Sequence, residues 1–382
     1  MKILHVVRGL PNSSGTTQVV KALAEAQARR GASVALWLCE QRGEVPILPD
    51  ESLVPSRIFA TSLPLYHPGI SLPFARAVSG AVNKFDFIHI HAVWNFPTWW
   101  TMRTADRAGV PFMIAPHGSF EPWAMRRHAR RKLLYARYLE LPLIDRAWAV
   151  HALSPAEVDQ VRALGVTAPV EILPNGIDLS PFDCRKLDLS ECYAIPPGVR
   201  TVLSLSRLDP KKGIDILISG FARFSKVMKD VHLIVAGQDY QSGYARVLVD
   251  IVRRNSLDDR VHFIGEIRGS EKYQLLRSVD AFALISHSEG LPLCVLEAMA
   301  AGLPVIVTPG CHLEDIEAAG AGLITKTDAG EVAGALEALF RHSEMIVEMG
   351  EAGRRIVRER FTWPSIVERT LVLYQQAMDH AA

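Results

Sequence analysis

Cysteine is scarce in this 382-residue chain: Cys39, Cys184, Cys192, Cys294 and Cys311 are five, scattered and odd in number. No two stand at metal-site spacing, so a disulfide-stapled scaffold is disfavoured and a reducing cytoplasm is the expected setting. An excess of one charge is missing too. Forty-two Lys and Arg against 41 Asp and Glu leave a formal net charge of +1, which offers no global case for nucleic-acid binding. No apolar run approaches the ~20 residues of a membrane-spanning helix. Met1 to Val7 is too short for a signal peptide and reads as a first strand. The fingerprint G-x-G-x-x-G does not follow that strand, which argues against a dinucleotide cofactor. What is present is an ordinary globular balance, 49% hydrophobic and 22% charged, long enough for two domains or three.

The organising stretch is SHSEGLPLCVLEAMAAGLPVIV, residues 286–307. Ala281 to Ile285 before it reads as a buried strand. Pro292 suits the first helical position, Gly302 suits the residue after the helix, and Pro304 blocks continuation. Val305 to Val307 is the next strand. The first amides of such a helix lack partners and carry the positive end of its dipole, an anion site at the carboxyl edge of a sheet. Glu297 interrupts a helix that is otherwise apolar all round, so it requires a dedicated partner. Glu289 lies in the preceding loop. Both acids could face a ligand at the helix start; alternatively, Glu297 pairs with a buried Arg and Glu289 is a solvated loop acid.

EGLPLCVLEAMAAGLPVI resembles the signature of the retaining glycosyltransferases of the family 4 type, which have the two-Rossmann GT-B fold. The resemblance implies that Glu289 lies beside the transferred sugar and that Glu297 hydrogen-bonds the ribose of a nucleotide. Leu291-Pro292 departs from the Phe-Gly of many members, so phosphate contact falls to later amides such as those of Leu293 and Cys294, beside Gly290.

The chain repeats a Rossmann rhythm twice. Strand 3–7 leads to a loop ending Ser13-Ser14-Gly15, then a helix stopping before Gly31 and a strand over 34–38. Small residues there let backbone approach a ligand, and Gly15 resembles part of the family's glycine-rich, donor-facing loop. Segment 41–80 suggests loops and one helix. Phe87 to His91 is a strand whose alternating histidines read as hydrogen-bonded scaffold or as ligands. The aromatics of 94–100 read as core or as an apolar wall near the acceptor. Pro111 to Pro116 is a strand ending at His117, where such sheets place functional groups. PHGSFEPWA, residues 116–124, resembles a subset of these enzymes and implies that His117 contacts the transferred sugar.

Arg126 to Leu139 is basic and amphipathic, either a peripheral contact with the inner face of a membrane or a solvated helix face. Further strands are expected over 146–152 and 170–173, and Ser154 to Glu157 forms a capping box. Asn175-Gly176 favours a turn with positive φ, and 179–198 has linker composition. The second half restarts with strand 202–206. Arg207 and Lys212 straddle the following strand-to-helix turn, a spacing that suits a diphosphate. RLDPKKG resembles the family's phosphate-binding pair. Strands 231–236, 261–264 and 322–324 follow, and the backbone around Ile267 is implied to contact the base.

The expected architecture is therefore α/β, two Rossmann-like domains facing each other across a cleft (GT-B). Residues 1–180 bind acceptor, 181–198 link, 199–360 bind the nucleotide sugar, and helix 365–382 packs back on the first domain. The resemblance implies sugar transfer from a nucleoside-diphosphate sugar to a hydroxyl of a glycan or lipid-linked acceptor, retaining configuration, with no cofactor and no metal. Bacterial exopolysaccharide or lipopolysaccharide assembly is the expected pathway. A sugar-nucleotide epimerase and a non-catalytic nucleotide-sugar scaffold share the fold and stand as alternatives.

Overall fold

A computed structural model describes residues 1–10, 15–40, 45–62, 69–126, 133–239 and 243–381. The chain forms two compact units, 1–176 with 363–382, and 177–362. In the first, seven strands lie parallel: β1 Lys2–Val7, β2 Ser33–Cys39, β3 Ser56–Phe59, β4 Phe87–His91, β5 Phe112–Ala115, β6 Ala149–Ala152 and β7 Val170–Ile172, in the order 3-2-1-4-5-6-7. In the second, six do: β8 Arg200–Leu205, β9 Val231–Ala236, β10 Val261–Gly265, β11 Ala281–Leu284, β12 Val305–Val307 and β13 Gly322–Ile324, in the order 10-9-8-11-12-13. Strands covered by helices on both faces are apolar throughout rather than alternating, as the fully buried FMIA of β5 and AFAL of β11 are.

Each sheet reverses its order once, between β1 and β4 in the first unit and between β8 and β11 in the second. Loops after those strands diverge and leave the crevice where Rossmann-like sheets hold ligands. The helix Trp363–Ala381 belongs to the first unit. Its Tyr374 is fully buried and stacks on Phe87 at 4.1 Å between centroids. Within the first unit Tyr374 also joins a polar network described below.

Several local expectations change. Segment 41–80 contains β3 as well as the helix Leu72–Ala81; a four-residue edge strand, Ser-Arg-Ile-Phe, carries too little pattern to be read. The strand expected from Arg146 begins only at Ala149, because Arg146 and Ala147 close the preceding helical turn. Gly176 does not take positive φ. Its need is space, since a Cβ there would lie 2.4 Å from the Trp363 ring. Residues 179–198 hold a 3-10 turn, Ser180–Phe182, and a short helix, Leu189–Tyr193. They pack on the second unit: Arg277 donates to the carbonyls of Phe182 and Cys184, and Leu187 N–H to Ser278. Ser13, Ser14 and residues 127–132 of the basic stretch lie outside the described residues.

Candidate functional site: the carboxyl edge of the second sheet

The chain leaves β8 through Ser206-Arg207-Leu208 and makes a 3-10 turn, Pro210–Lys212, capped by the Asp209 carboxylate on the Lys211 amide. Gly213 then takes φ +59, and a Cβ there would sit 2.1 Å from the Ile285 carbonyl oxygen. Only glycine allows this turn to lie against the end of β11. The contact is reinforced from the other side: the Lys211 carbonyl accepts from His287 N–H at 2.9 Å and from the Ser286 hydroxyl at 3.1 Å. Gly237 tightens the neighbouring edge, its would-be Cβ 1.8 Å from the Ser206 carbonyl and its N–H donating to Gly265. The loops after β8, β9, β10 and β11 are thus tied into one rim.

Across the switch point, Lys212 Nζ lies 2.6 Å from Glu289 Oε1, with the two side chains 13% and 11% exposed. Burial is the largest influence and pushes the lysine pKa down, but the facing Glu289 carboxylate together with Cys294 reverses it and the pKa is raised, so Lys212 is charged. The Arg207 charge opposes that proton, placing the guanidinium within electrostatic reach of Lys212. Arg207 itself is exposed at the rim. Glu289 is positioned by its own N–H, which donates to the Gly310 carbonyl at 2.7 Å.

The helix Leu293–Ala301 starts next to this pair. Its first internal bonds are donated by Val295 and Leu296 to the Pro292 carbonyl, after the amides of Leu293 and Cys294. Gly302 closes it with φ +85. Glu297 finds its partner in Lys272, at 2.6 Å, from the helix Gly269–Leu276. The partner is thus a lysine, not the buried Arg of the alternative reading. Lys272 also lies over the Tyr273 ring, 4.6 Å from its centroid. Cys294 registers both pairs: burial pushes its thiol up to about 12, Lys212 opposes the shift, and Glu289 and Glu297 add to it. The Lys212–Glu289 pair and the Glu297 carboxylate therefore all lie within electrostatic reach of one thiol at the helix start.

Of the residues singled out by sequence, Arg207, Lys212, Glu289, Gly290, Leu293 and Glu297 are brought to this rim, on the loops and helix around β8 and β11. Ile267 is buried two residues past β10 on the same carboxyl edge. Gly15 and His117 belong to the first unit. Gly15 is exposed and opens the helix Gly15–Arg29 after β1. His117 follows β5 with φ +52, and its Nε2 lies 3.0 Å from His91 Nδ1. Its pKa is lowered to about 3, by burial first and by His151 second, so it is neutral.

Sequence reasoning missed three supports. Lys272 had no local signal, being one lysine on a surface-patterned helix. Glu157 sits in the expected capping turn, where Ser154 accepts from the Glu157 amide. Its carboxylate also accepts from Leu153 N–H and from Gly118 N–H, both at 2.7 Å, and so fixes the loop carrying His117. Glu140 is fully buried on a π-helical turn, Ala136–Glu140, accepts from Trp94 N–H at 2.7 Å, and is pushed up to about 8 by burial. A lone acid between Leu139 and Leu141 was its only trace.

Among the described residues, no helix is long and apolar enough to cross a membrane. Two family models match the chain, Glycosyl transferases group 1 over residues 188–356 and Glycosyltransferase Family 4 over 13–181. A GDP-mannose:cellobiosyl-diphosphopolyprenol alpha-mannosyltransferase of Xanthomonas oryzae pv. oryzae (strain PXO99A) is 24% identical, over 99% of this chain and 97% of that protein. A phosphatidyl-myo-inositol mannosyltransferase of Mycobacterium leprae (strain TN) is 25% identical, over 94% and 92%. Among solved structures, Anabaena Alr3699/HepE in complex with UDP superposes with a TM-score of 0.81 at 20% identity, over 98% of this chain and 100% of that one. Sucrose-phosphate synthase from Thermosynechococcus elongatus gives 0.80 at 21%, over all of both chains. With one model matched in each half and GT-B structures matched over the whole length, the chain belongs to the GT-B glycosyltransferases of the family 4 type, hexosyl-transferring enzymes.

Proposed function

We propose that this glycosyltransferase moves a sugar from a nucleoside-diphosphate sugar to a hydroxyl of a glycan or lipid-linked acceptor, with retention of configuration. The observation that carries the reading is the Lys212–Glu289 pair at 2.6 Å, spanning the switch point beside the first amides of the Leu293–Ala301 helix. Lys212 has three N–H donors and Glu289 occupies one, so donors remain for an entering diphosphate. Arg207 adds a planar fork at the rim. The amides near Gly290 and Leu293 add the helix dipole. Glu297 takes the ribose hydroxyls, the backbone at Ile267 the base, and Glu289 and His117 the transferred sugar, with Gly15 allowing close backbone approach.

In the transfer, the bond from the anomeric carbon to the diphosphate breaks while the acceptor oxygen bonds to that carbon on the same face. The acceptor proton leaves on the diphosphate. Arg207, Lys212 and the helix start meet the charge that develops there, which is the role a metal plays in other transferases. On this reading no metal is required. GDP-mannose is the first donor to test, because the Xanthomonas relative's name carries it. That name also carries a diphosphopolyprenol acceptor, which supports a place in exopolysaccharide or lipopolysaccharide assembly.

A lipid-linked acceptor would give a purpose to the surface at 133–139. Leu133, Leu134, Tyr138 and Leu139 are 49%, 59%, 69% and 41% exposed, with Arg137 exposed among them. We expect co-sedimentation with anionic vesicles at low salt, and none would remove peripheral membrane contact from the reading. Turnover is tested with Lys212→Ala and Glu297→Ala. Both should abolish transfer with the fold intact, and near-normal turnover in either would overturn the assignment.

A further inference from the structure

Five histidines of the first unit, His5, His89, His91, His117 and His151, form one connected network at the centre of the sheet. His5, His89 and His91 bring ring nitrogens within 4.8 Å of one another, a spacing that would suit a metal. The nitrogens are instead engaged in hydrogen bonds, and the direction of every bond can be worked out from the fixed acceptors at its ends.

One end is the Leu173 carbonyl, which can only accept. His151 Nε2, at 2.6 Å, therefore carries a proton. A neutral ring has one N–H, so His151 Nδ1 accepts from His89 Nε2 at 3.2 Å. His89 Nδ1 in turn accepts from the Tyr374 hydroxyl at 2.7 Å. With its proton spent, that hydroxyl accepts from Gln27 Nε2 at 3.2 Å. A second end agrees: Thr370 donates its hydroxyl proton to the Val367 carbonyl, so it too accepts from Gln27 Nε2. Both fix the Gln27 amide, and its Oε1 must accept from His5 Nε2 at 2.8 Å. His5 Nδ1 then accepts from His91 Nε2 at 2.8 Å, and His91 Nδ1 from His117 Nε2 at 3.0 Å. Burial holds the rings neutral, lowering His5 to about 4 and His89 and His91 well below the usual value.

We propose that Gln27, His5 and His91 are positioning residues that lock His117 in its Nε2–H tautomer, leaving the Nδ1 lone pair as a hydrogen-bond acceptor for a ligand hydroxyl. No partner is found for that nitrogen among the described residues, and the ring is half-buried after β5. The left-handed backbone at His117, and the Glu157 carboxylate on the next amide, hold the ring in place. The site therefore takes a hydroxyl that donates and discriminates against a carbonyl, ether or fluorine there, because two acceptors cannot share a proton that neither carries. Gln27 also ends the chain, since an amide oxygen does not take up the proton and none is relayed onward.

That the hydroxyl belongs to a sugar rests on the proposed function; the tautomer does not. The test is 15N-histidine NMR on the ligand-free full chain at pH 7.5. We expect couplings across the hydrogen bonds from His117 Nε2 to His91 Nδ1 and from His91 Nε2 to His5 Nδ1, with His117 Nδ1 showing a pyridine-type shift. A protonated His117 Nδ1 overturns the proposal, whatever the enzyme transfers. In Gln27→Leu the anchor is gone, and we expect an Nδ1–H population on His117 and a drop in kcat of roughly tenfold or more with KM little changed. An unaltered His117 tautomer in that variant also overturns it. Should Gln27→Leu fail to fold, the wild-type couplings decide. Absence of sugar transfer alongside those couplings would overturn the proposed function alone.

Discussion

Lys212 and Glu289 serve each other in the free protein and a ligand in the proposed complex. Removing one leaves a largely desolvated partner, so Lys212→Ala is expected to cost on the order of 2 kcal/mol in urea unfolding as well as activity. Glu289→Gln keeps shape and an acceptor for the lysine; it should fold normally and lose transfer, read by turnover against circular dichroism. At Glu140 burial raises the pKa to about 8, so the folded protein holds a proton that the unfolded chain releases above about pH 4.5. Folding is thereby weakened progressively as pH rises from there. Glu140→Gln keeps an acceptor for Trp94 N–H without that cost, and should raise stability at pH 7 by about 2 kcal/mol. No gain in the urea midpoint would show that Glu140 is ionised in the fold. Residues of this kind were only half legible. Glu297 advertised its need for a partner because its own helix offers none, whereas Lys272 lies 25 positions away and follows no short-range pattern.

At the level of elements, the strand-turn-helix after β8 works because its turn fits under the end of β11. Gly213→Ala forces a Cβ to 2.1 Å from a carbonyl oxygen in a left-handed backbone, and is expected to cost about 3 kcal/mol and weaken nucleotide binding. Gly31, with φ +91 and open space around its would-be Cβ, is the control: Gly31→Ala should cost about 1 kcal/mol and leave binding unchanged. Equal costs in urea unfolding would mean that the contact with Ile285 is not what constrains the turn. The same elements explain what could be read from sequence. The helix Leu293–Ala301, bounded by Pro292 and Gly302, and the strand Gly322–Ile324 announced themselves by apolar pattern and punctuation. The edge strand β3 did not, and the 179–198 segment looked like linker because its few anchors, Arg277 and Ser278, are contributed from far along the chain.

For the molecule as a whole, the two Rossmann rhythms were visible because parallel strands must be apolar on both faces, and the site followed because such sheets place ligands at one edge. The histidine network was not visible. Alternating histidines in β4 gave its location, but the bonds need β1, β6, the loop after β5 and two helices at once. That network makes the first unit acid-sensitive. His5 and His151 fall to about 4 in the fold against about 6.5 unfolded. Above pH 6.5 both states are neutral and nothing is lost; below it the unfolded chain takes protons first. Each of these two should cost about 1.4 kcal/mol per pH unit down to the folded value, seen as a lower urea midpoint at pH 5.5 than at 7.5. In the other unit, the proposed function has Arg207, Lys212 and Glu297 hold a nucleoside diphosphate. Calorimetric titration of the wild type and of the Arg207→Ala/Lys212→Ala double variant with GDP, UDP and ADP tests it most directly. The expected result is binding of one nucleotide by the wild type, weakened at least roughly a hundredfold in the variant, as two charge-assisted contacts imply. Equal affinity in both proteins, or no binding of any of the three to the wild type, would contradict it.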